Sequence, residues 1–316
     1  MNLEIGLTDE GPVNTSYAPL AVLGAHYQAT GQLAFFTEGE FGQKRRVFST
    51  GELLCQVLWS MLAGCETLGE VTGRLGGEQA LASAEGWARF ADQATLSRLL
   101  DRLSLKQIAT LRAGMLTQMQ MNSQVRQHDW RGYLWLDFDL SGLPCSAQAE
   151  ESQKGYFSDK KNTTGRQLAR VSASAYRETV YSDVYPDSKH TSHCLQPSVE
   201  STEIALELSP AQRQRTVWRI DGGSGSDAHV RWLLQRGYQV VAKGMNNRRA
   251  QALARQVQRW DVYRPDTWLG EVPPPVDYGR PVRVLVKRQL KEGATATVTT
   301  SAPWLCLPKG GGGPVP

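Results

Sequence analysis

Tyr133-Leu134-Trp135-Leu136-Asp137-Phe138-Asp139 is the stretch on which the fold turns. It is short, aromatic-rich and largely apolar, and it ends in acid, which reads as a strand. Asp137 and Asp139 lie two apart, so in a strand they point to the same side. Residues 168–176 and 179–184 read as two more strands, separated by a turn at Arg177-Glu178. Pro197 starts a helix that runs to Leu208. Residues 216–221 form a strand that ends in Asp221, and 222–226 are loop. Asp227 then suits the N-cap of a helix with Val230, Leu233 and Leu234 as its apolar positions, and Gly237 suits the left-handed position that ends it. Residues 238–242 are the next strand. Three neighbouring strands, a helix, a strand, a helix and a strand make an α/β core with a mixed sheet.

Upstream, the period is that of helices. Leu53, Leu54, Val57, Leu58, Met61 and Leu62 fall on one stripe, with Ser49 or Thr50 as cap and Gly64 near the end. Further helices are expected over 67–75, from Thr95, and over 105–121, so residues 1–130 read as a helical N-terminal domain. Within it, 90–103 reads either as the second helix of a DNA-reading helix-turn-helix or as part of a plain helical bundle. Residues 131–245 form the core. Residues 246–301 hold a basic helix over 248–259 and then a β-rich insertion, marked by Pro265, Pro273, Pro274, Pro275 and Pro281 and by alternating stretches such as 282–286. Residues 302–316, with glycine at 310–313, read as a disordered tail.

The 316 residues are 41% hydrophobic and 21% charged, which excludes a disordered chain, a collagen and a small disulfide scaffold. No apolar run approaches the ~18–20 residues of a membrane helix. The acidic, polar N-terminus is no signal peptide. Five scattered cysteines without a CxxC read as reduced thiols in a cytosolic protein. The net charge of +4 is uneven: residues 1–130 hold 10 basic and 13 acidic residues, whereas 231–291 hold 13 basic and 4 acidic. Such a stretch suits a polyanion partner or forms an ordinary solvated basic face.

Carboxylates at strand ends can hold hard divalent cations, because Mg²⁺ takes oxygen ligands and keeps water. Two such ions can activate a water and stabilise the leaving oxygen of a phosphodiester. The same acids can equally be turn formers or helix caps. Gly222-Gly223-Ser224-Gly225 matches neither GxGxxG nor GxxxxGK[ST], so it is no nucleotide loop. His190 and His193 lack the further ligands that zinc requires. Ser141 and Ser224 have no GxSxG context. The tryptophans from Trp130 to Trp304 read as core rather than a base-stacking platform.

Taken in order, several motifs bring a known family to mind. They are residues 136–144 (LDFDLSGLP), Lys154-Gly155-Tyr156-Phe157, Gly165-Arg166-Gln167, residues 219–227 (RIDGGSGSD), Leu234-Gln235-Arg236-Gly237-Tyr238 and, upstream, residues 94–100 (ATLSRLL). Over roughly 45–300 the chain resembles the insertion-sequence transposases of the DDE class, whose catalytic core is ribonuclease H-like. The resemblance implies DNA cleavage and strand transfer for transposition of a mobile element, using two Mg²⁺ (or Mn²⁺) ions. Its first acid falls on Asp139, in Asp139-Leu140-Ser141, with Asp137 as the alternative; its second falls on Asp221. Asp139 and Asp221 would hold the metals, and Lys243, Arg248, Arg249, Arg255 and Arg259 would hold the DNA backbone. The implied partner is double-stranded DNA, at terminal inverted repeats and target, met by a homodimer in a bacterial-type cytosol.

The family's third acid, a Glu on a helix after the insertion, has no counterpart here. Glu271 and Glu292 lie within the insertion and are no substitute. The ending therefore looks like a frameshift or premature stop in a transposase gene, or a native short form whose third ligand comes from elsewhere. The expectation is a C-terminally truncated chain with little or no strand transfer. A non-catalytic fragment that competes for transposon ends is the alternative, and a ribonuclease H-like nuclease unrelated to mobility is a third.

Overall fold

The computed structural model describes residues 14–38, 41, 47–157, 160–186, 191–244, 247–290, 299–301 and 303–306. The chain divides into two compact units, Met1–Asn122 and Ser123–Pro316.

The first unit is helical: α1 (Ala18–Thr30), α2 (Ala34–Glu38), α3 (Thr50–Leu62), α4 (Leu68–Leu75), α5 (Gln79–Ala84), α6 (Gln93–Leu100) and α7 (Leu105–Asn122). Ser49 opens α3 through a full capping box with Glu52, each side chain bonding the other's backbone N–H. Asp92 caps α6 by accepting from the Thr95 N–H at 2.7 Å. The core gathers Trp59, Val71, Leu75, Leu81 and Leu96, all buried. Gln56 is also fully buried; its side chain accepts from the Ala91 N–H at 2.7 Å, so it costs no unpaired polar group. Within the 90–103 span, α6 turns Leu96 and Leu99 inward and leaves Arg98 outside.

The second unit runs β1 (Leu134–Pro144), β2 (Gln153–Phe157), β3 (Lys160–Ala173), β4 (Glu178–Pro186), α8 (Thr191–Leu206), α9 (Pro210–Gln214), β5 (Thr216–Ile220), α10 (Asp227–Gln235), β6 (Gln239–Lys243), α11 (Asn247–Ala254), β7 (Trp260–Arg264), β8 (Thr267–Val272), β9 (Arg283–Gln289), β10 (Thr299–Ser301) and β11 (Pro303–Cys306). The core strands lie in the order β4-β3-β1-β5-β6. β4, β3 and β1 pair antiparallel, while β1, β5 and β6 pair parallel. This is a mixed α/β sheet in the strand order of a ribonuclease H-like core. The sheet continues past β6 through β11, β9 and β8 to β7.

Cross-strand rows show why β1 has its sequence. Leu136, Trp218 and Val240 form one register row, and Val171, Phe138, Ile220 and Ala242 the next. All are buried. Asp137, Asp139 and Arg219 alternate onto the other face. Both parallel crossovers, through α8 and α10, step the same way along the sheet, so right-handedness puts the two helices on one face. Glu203 of α8 ties them together. Only 8% exposed, it accepts from Arg236 at the end of α10 through both carboxylate oxygens and from the Tyr238 hydroxyl at 2.8 Å, with Arg213 at 3.5 Å. Burial pushes its carboxyl up, but the bonds from Arg236 and Tyr238 and the nearby cationic charges outweigh that, and its pKa lies below the ordinary value.

The insertion is anchored by polar contacts to α10. Tyr278, itself buried, donates to Asp227 at 2.6 Å, Arg231 donates to the Asp277 carbonyl, and Arg280 donates to the carbonyls of Leu234 and Tyr238.

Five sequence expectations are corrected. The polar loop after β1 holds β2, which pairs with the first half of β3; its backbone bonds come from a neighbour that no local pattern announces. α8 begins at Thr191, so Pro197 is inside the helix rather than at its start. Ser226, not Asp227, caps α10: its hydroxyl accepts from the His229 N–H, and Asp227 is left to bind elsewhere. α11 ends at Ala254, which leaves Arg255 and Arg259 beyond the helix. Pro303–Cys306, read as disordered tail, form a strand between β6 and β9, because both flanking edges need partners for their backbone groups. Residues 307–316 lie outside the described residues. Of the expected core tryptophans, Trp218 is fully buried, whereas Trp130, Trp135, Trp232, Trp260 and Trp268 are half-buried. The side chain of Trp304 lies outside the described residues.

Candidate active site

The site follows from one register. β1 and β5 are parallel, with Asp137 opposite Arg219 and Phe138 opposite Ile220. One residue further, Asp139 comes level with Asp221 where β5 ends. The two acids thus come level where the β1–β5 pairing stops, Asp139 midway along β1 and Asp221 just past the end of β5, and both are exposed. On its other side Asp139 is paired in register with Arg170 of β3, also exposed.

Asp137 is differently employed. Its two carboxylate oxygens grip the Arg219 guanidinium, and the Ser174 hydroxyl donates to it as well. A carboxylate with both oxygens on a guanidinium is a poor candidate to ligate a cation, because the pair would first have to break. Among the described residues Asp139 has no such partner.

The loop after Asp221 holds that acid in place. The Ser224 N–H donates to Asp221 Oδ1 at 3.1 Å, and His229 Nδ1 donates to the Ser224 carbonyl at 2.8 Å. Since a carbonyl only accepts, Nδ1 carries the hydrogen. Ser224 is buried, and its hydroxyl has no hydrogen-bond partner among the described residues. Gly225 is required by close approach: a Cβ there would lie 2.5 Å from the Lys243 carbonyl oxygen and 3.1 Å from that of Asp221. We expect Gly225→Ala to destabilise the unit by about 1–3 kcal/mol, since backbone cannot give way as a side-chain end can. Urea unfolding checks this; an unchanged midpoint would show that the loop has slack.

The basic residues expected to hold DNA are spread over β6, α11 and the segment after it. Lys243, Arg248 and Arg255 are exposed. Arg249 is clamped bidentately on Asp227 at 2.8 and 3.1 Å, and Arg259 pairs with Asp261 at 2.8 Å. Burial raises the Asp227 carboxyl, yet the bonds from Arg249 and Tyr278 prevail and hold its pKa below the usual range. Arg170 and Arg219 were not singled out from the sequence. Only the strand register brings them beside the acids, and that signal requires the pairing to be known.

Among the described residues no group of three or more His, Cys, Asp or Glu is placed to hold a metal ion. The chemistry of the donors present, two exposed carboxylates side by side, fits one hard cation that keeps part of its water. It does not complete a two-ion site. Of the HxxH pair, His193 lies exposed on α8 and His190 falls outside the described residues. Among the described residues no helix is long and apolar enough to cross a membrane.

No family model matches the chain, and no curated protein does. Among solved structures it is similar to a piggyBac transposase in a synaptic complex with hairpin DNA, at 11% identity and a TM-score of 0.46, covering 86% of this chain and 56% of that one. It is also similar to a chain of a pre-cleavage Mos1 transpososome, at 12% identity and a TM-score of 0.23, covering 64% of this chain and 60% of that one. The chain thus spans under two thirds of either. At these scores the ribonuclease H-like reading rests on the strand order of this chain, not on either likeness.

Proposed function

We propose that this chain is the catalytic region of a DDE-type DNA transposase of an insertion sequence, with an incomplete set of metal ligands. The observation that carries the reading is the register of β1 with β5, which runs to Phe138 opposite Ile220 and so brings the next residues, Asp139 and Asp221, level with each other. In this reading Asp139 and Asp221 hold Mg²⁺ or Mn²⁺, and Asp137 serves Arg219 instead. Bound there, the cation supplies Lewis-acid activation of water and stabilisation of the leaving oxygen in phosphodiester cleavage. Ser224 keeps Asp221 oriented through its N–H. Arg170 flanks the acids where a phosphate would approach, and Lys243, Arg248 and Arg255 hold the backbone of double-stranded DNA. The DNA is the element's inverted repeats and the target, bound by a homodimer in a nucleoid-associated, cytosolic setting.

The same ligand count favours a second reading for the chain as it stands. With no third acid among the described residues, it binds transposon ends without strand transfer and competes with complete enzyme. Titration of Mn²⁺ followed by its EPR signal separates these statements. We expect the full chain to bind about one ion, weakly, and Asp139→Asn or Asp221→Asn to weaken it roughly tenfold while Asp137→Asn has less effect. Binding indifferent to both acids would remove the basis of the proposal. Robust Mg²⁺-dependent strand transfer, abolished by Asp221→Ala, would overturn the inactivity and leave the family reading in force.

A further inference from the structure

The first unit contains a cavity of about 280 Å³ that the DNA chemistry does not use. Four elements build it, α2 contributing Ala34 and Thr37. α1 contributes Gly24, Tyr27 and Gln28, which share one face of the helix; α3 contributes Cys55 and Trp59, one turn apart; the turn after α5 contributes Glu85 and Trp87. The rings stand edge to face: Tyr27 and Trp59 are 6.1 Å apart at 70°, Trp59 and Trp87 6.0 Å apart at 74°.

The polar groups in this aromatic wall are only weakly paired. Glu85 Oε1 and the Trp59 indole N–H are buried; the indole favours the charged carboxyl, yet neither atom makes a hydrogen bond of good geometry among the described residues. Glu85 Oε2 receives a long bond from Gln28, at 3.4 Å. Among the described residues no Lys, Arg or His lines the cavity. Gly24 makes its room: a Cβ at that position would lie 1.8 Å from Glu85 Oε1. Burial raises the Glu85 carboxyl to about 7, and burial together with the charge of Glu85 pushes the Cys55 thiol up to about 12, so no thiolate competes. A carboxylate drawn partly out of water is stabilised by a cation, and aromatic faces attract positive charge.

We propose that this cavity binds an organic ammonium or guanidinium cation, seated between the Glu85 carboxylate and the rings of Tyr27, Trp59 and Trp87. The cation is either a free small amine or the end of a Lys or Arg side chain. The test uses the full chain and isothermal titration at matched ionic strength. The probes are choline, its uncharged isostere 3,3-dimethylbutan-1-ol, and N-acetylarginine amide. At least one cation is expected to bind, and the uncharged isostere roughly tenfold more weakly or not at all. Tighter binding of choline identifies a free amine as the source, and tighter binding of the arginine derivative a side chain. Glu85→Gln should weaken binding roughly tenfold with an unchanged far-UV spectrum. Trp87→Leu should weaken it without touching the carboxyl, which keeps the test valid if one variant folds poorly. Equal binding of choline and its isostere, indifference to Glu85→Gln, or no cation bound at millimolar concentration would each overturn the proposal.

Discussion

Glu203→Ala is expected to destabilise the second unit by about 3–5 kcal/mol, because it strips a buried anion from cations that remain. Arg236 would lose both its bonds, Tyr238 its acceptor and Arg213 its nearest carboxylate. Tyr238 is itself fully buried, so its hydroxyl could not turn to water. The effect should be read from urea unfolding, with Glu203→Gln as the control that keeps an acceptor but drops the charge and falls in between. The pH dependence has a definite sign. The folded-state pKa of Glu203 lies below its unfolded value, so its stabilisation is fully present above the unfolded value and is lost as pH falls through the folded one. The wild type should therefore lose stability at acid pH more steeply than Glu203→Gln. If alanine costs under 1 kcal/mol, the cluster is solvated and does not join α8 to α10.

Trp218→Ala should cost about as much, about 3–5 kcal/mol, for a different reason. Trp218 is fully buried at the middle of β5, with strands on both sides, and its ring meets Tyr238 edge to face at 5.8 Å. Removing the indole leaves a hole on the buried face of the sheet, beside Tyr238 and beside Leu136 and Val240, whose backbones are pinned by ladder hydrogen bonds, so the site collapses poorly. Trp218→Phe, which fills most of the hole, should recover over half of the loss. A similar cost for both variants would mean that the indole ring's shape, not volume, is what the row requires.

These two residues also mark how far the sequence could be read. The strand around Trp218 was plain from its apolar run, and so was the one around Leu136, because buried parallel strands carry few polar residues. Gly237 at the end of α10 was legible too: its φ of +97° is one that glycine takes without strain. The roles of the acids were not. Asp137 and Asp139 are chemically identical and share a face, and only the β1–β5 register gives one an arginine and the other a second acid. Likewise Ser226 and Asp227 are both good caps, and the choice was made by Arg249 and Tyr278, which draw Asp227 away. β2 was missed because its lysine and glycine suit a loop, and its strand form depends on β3 lying beside it.

The pairing of β6 with β11 has a consequence for the order in which the molecule assembles. Lys243 meets Pro303 across 60 positions of sequence, whereas β1, β3 and β4 pair through nearby segments. The antiparallel end of the core can therefore form early, from short loops with little closure entropy. The outer edge of β6 must wait, unpaired, until the entire insertion has been synthesised and folded back. During that interval the chain carries a bare strand of Gln239-Val240-Val241-Ala242-Lys243, the kind of edge on which newly made chains associate.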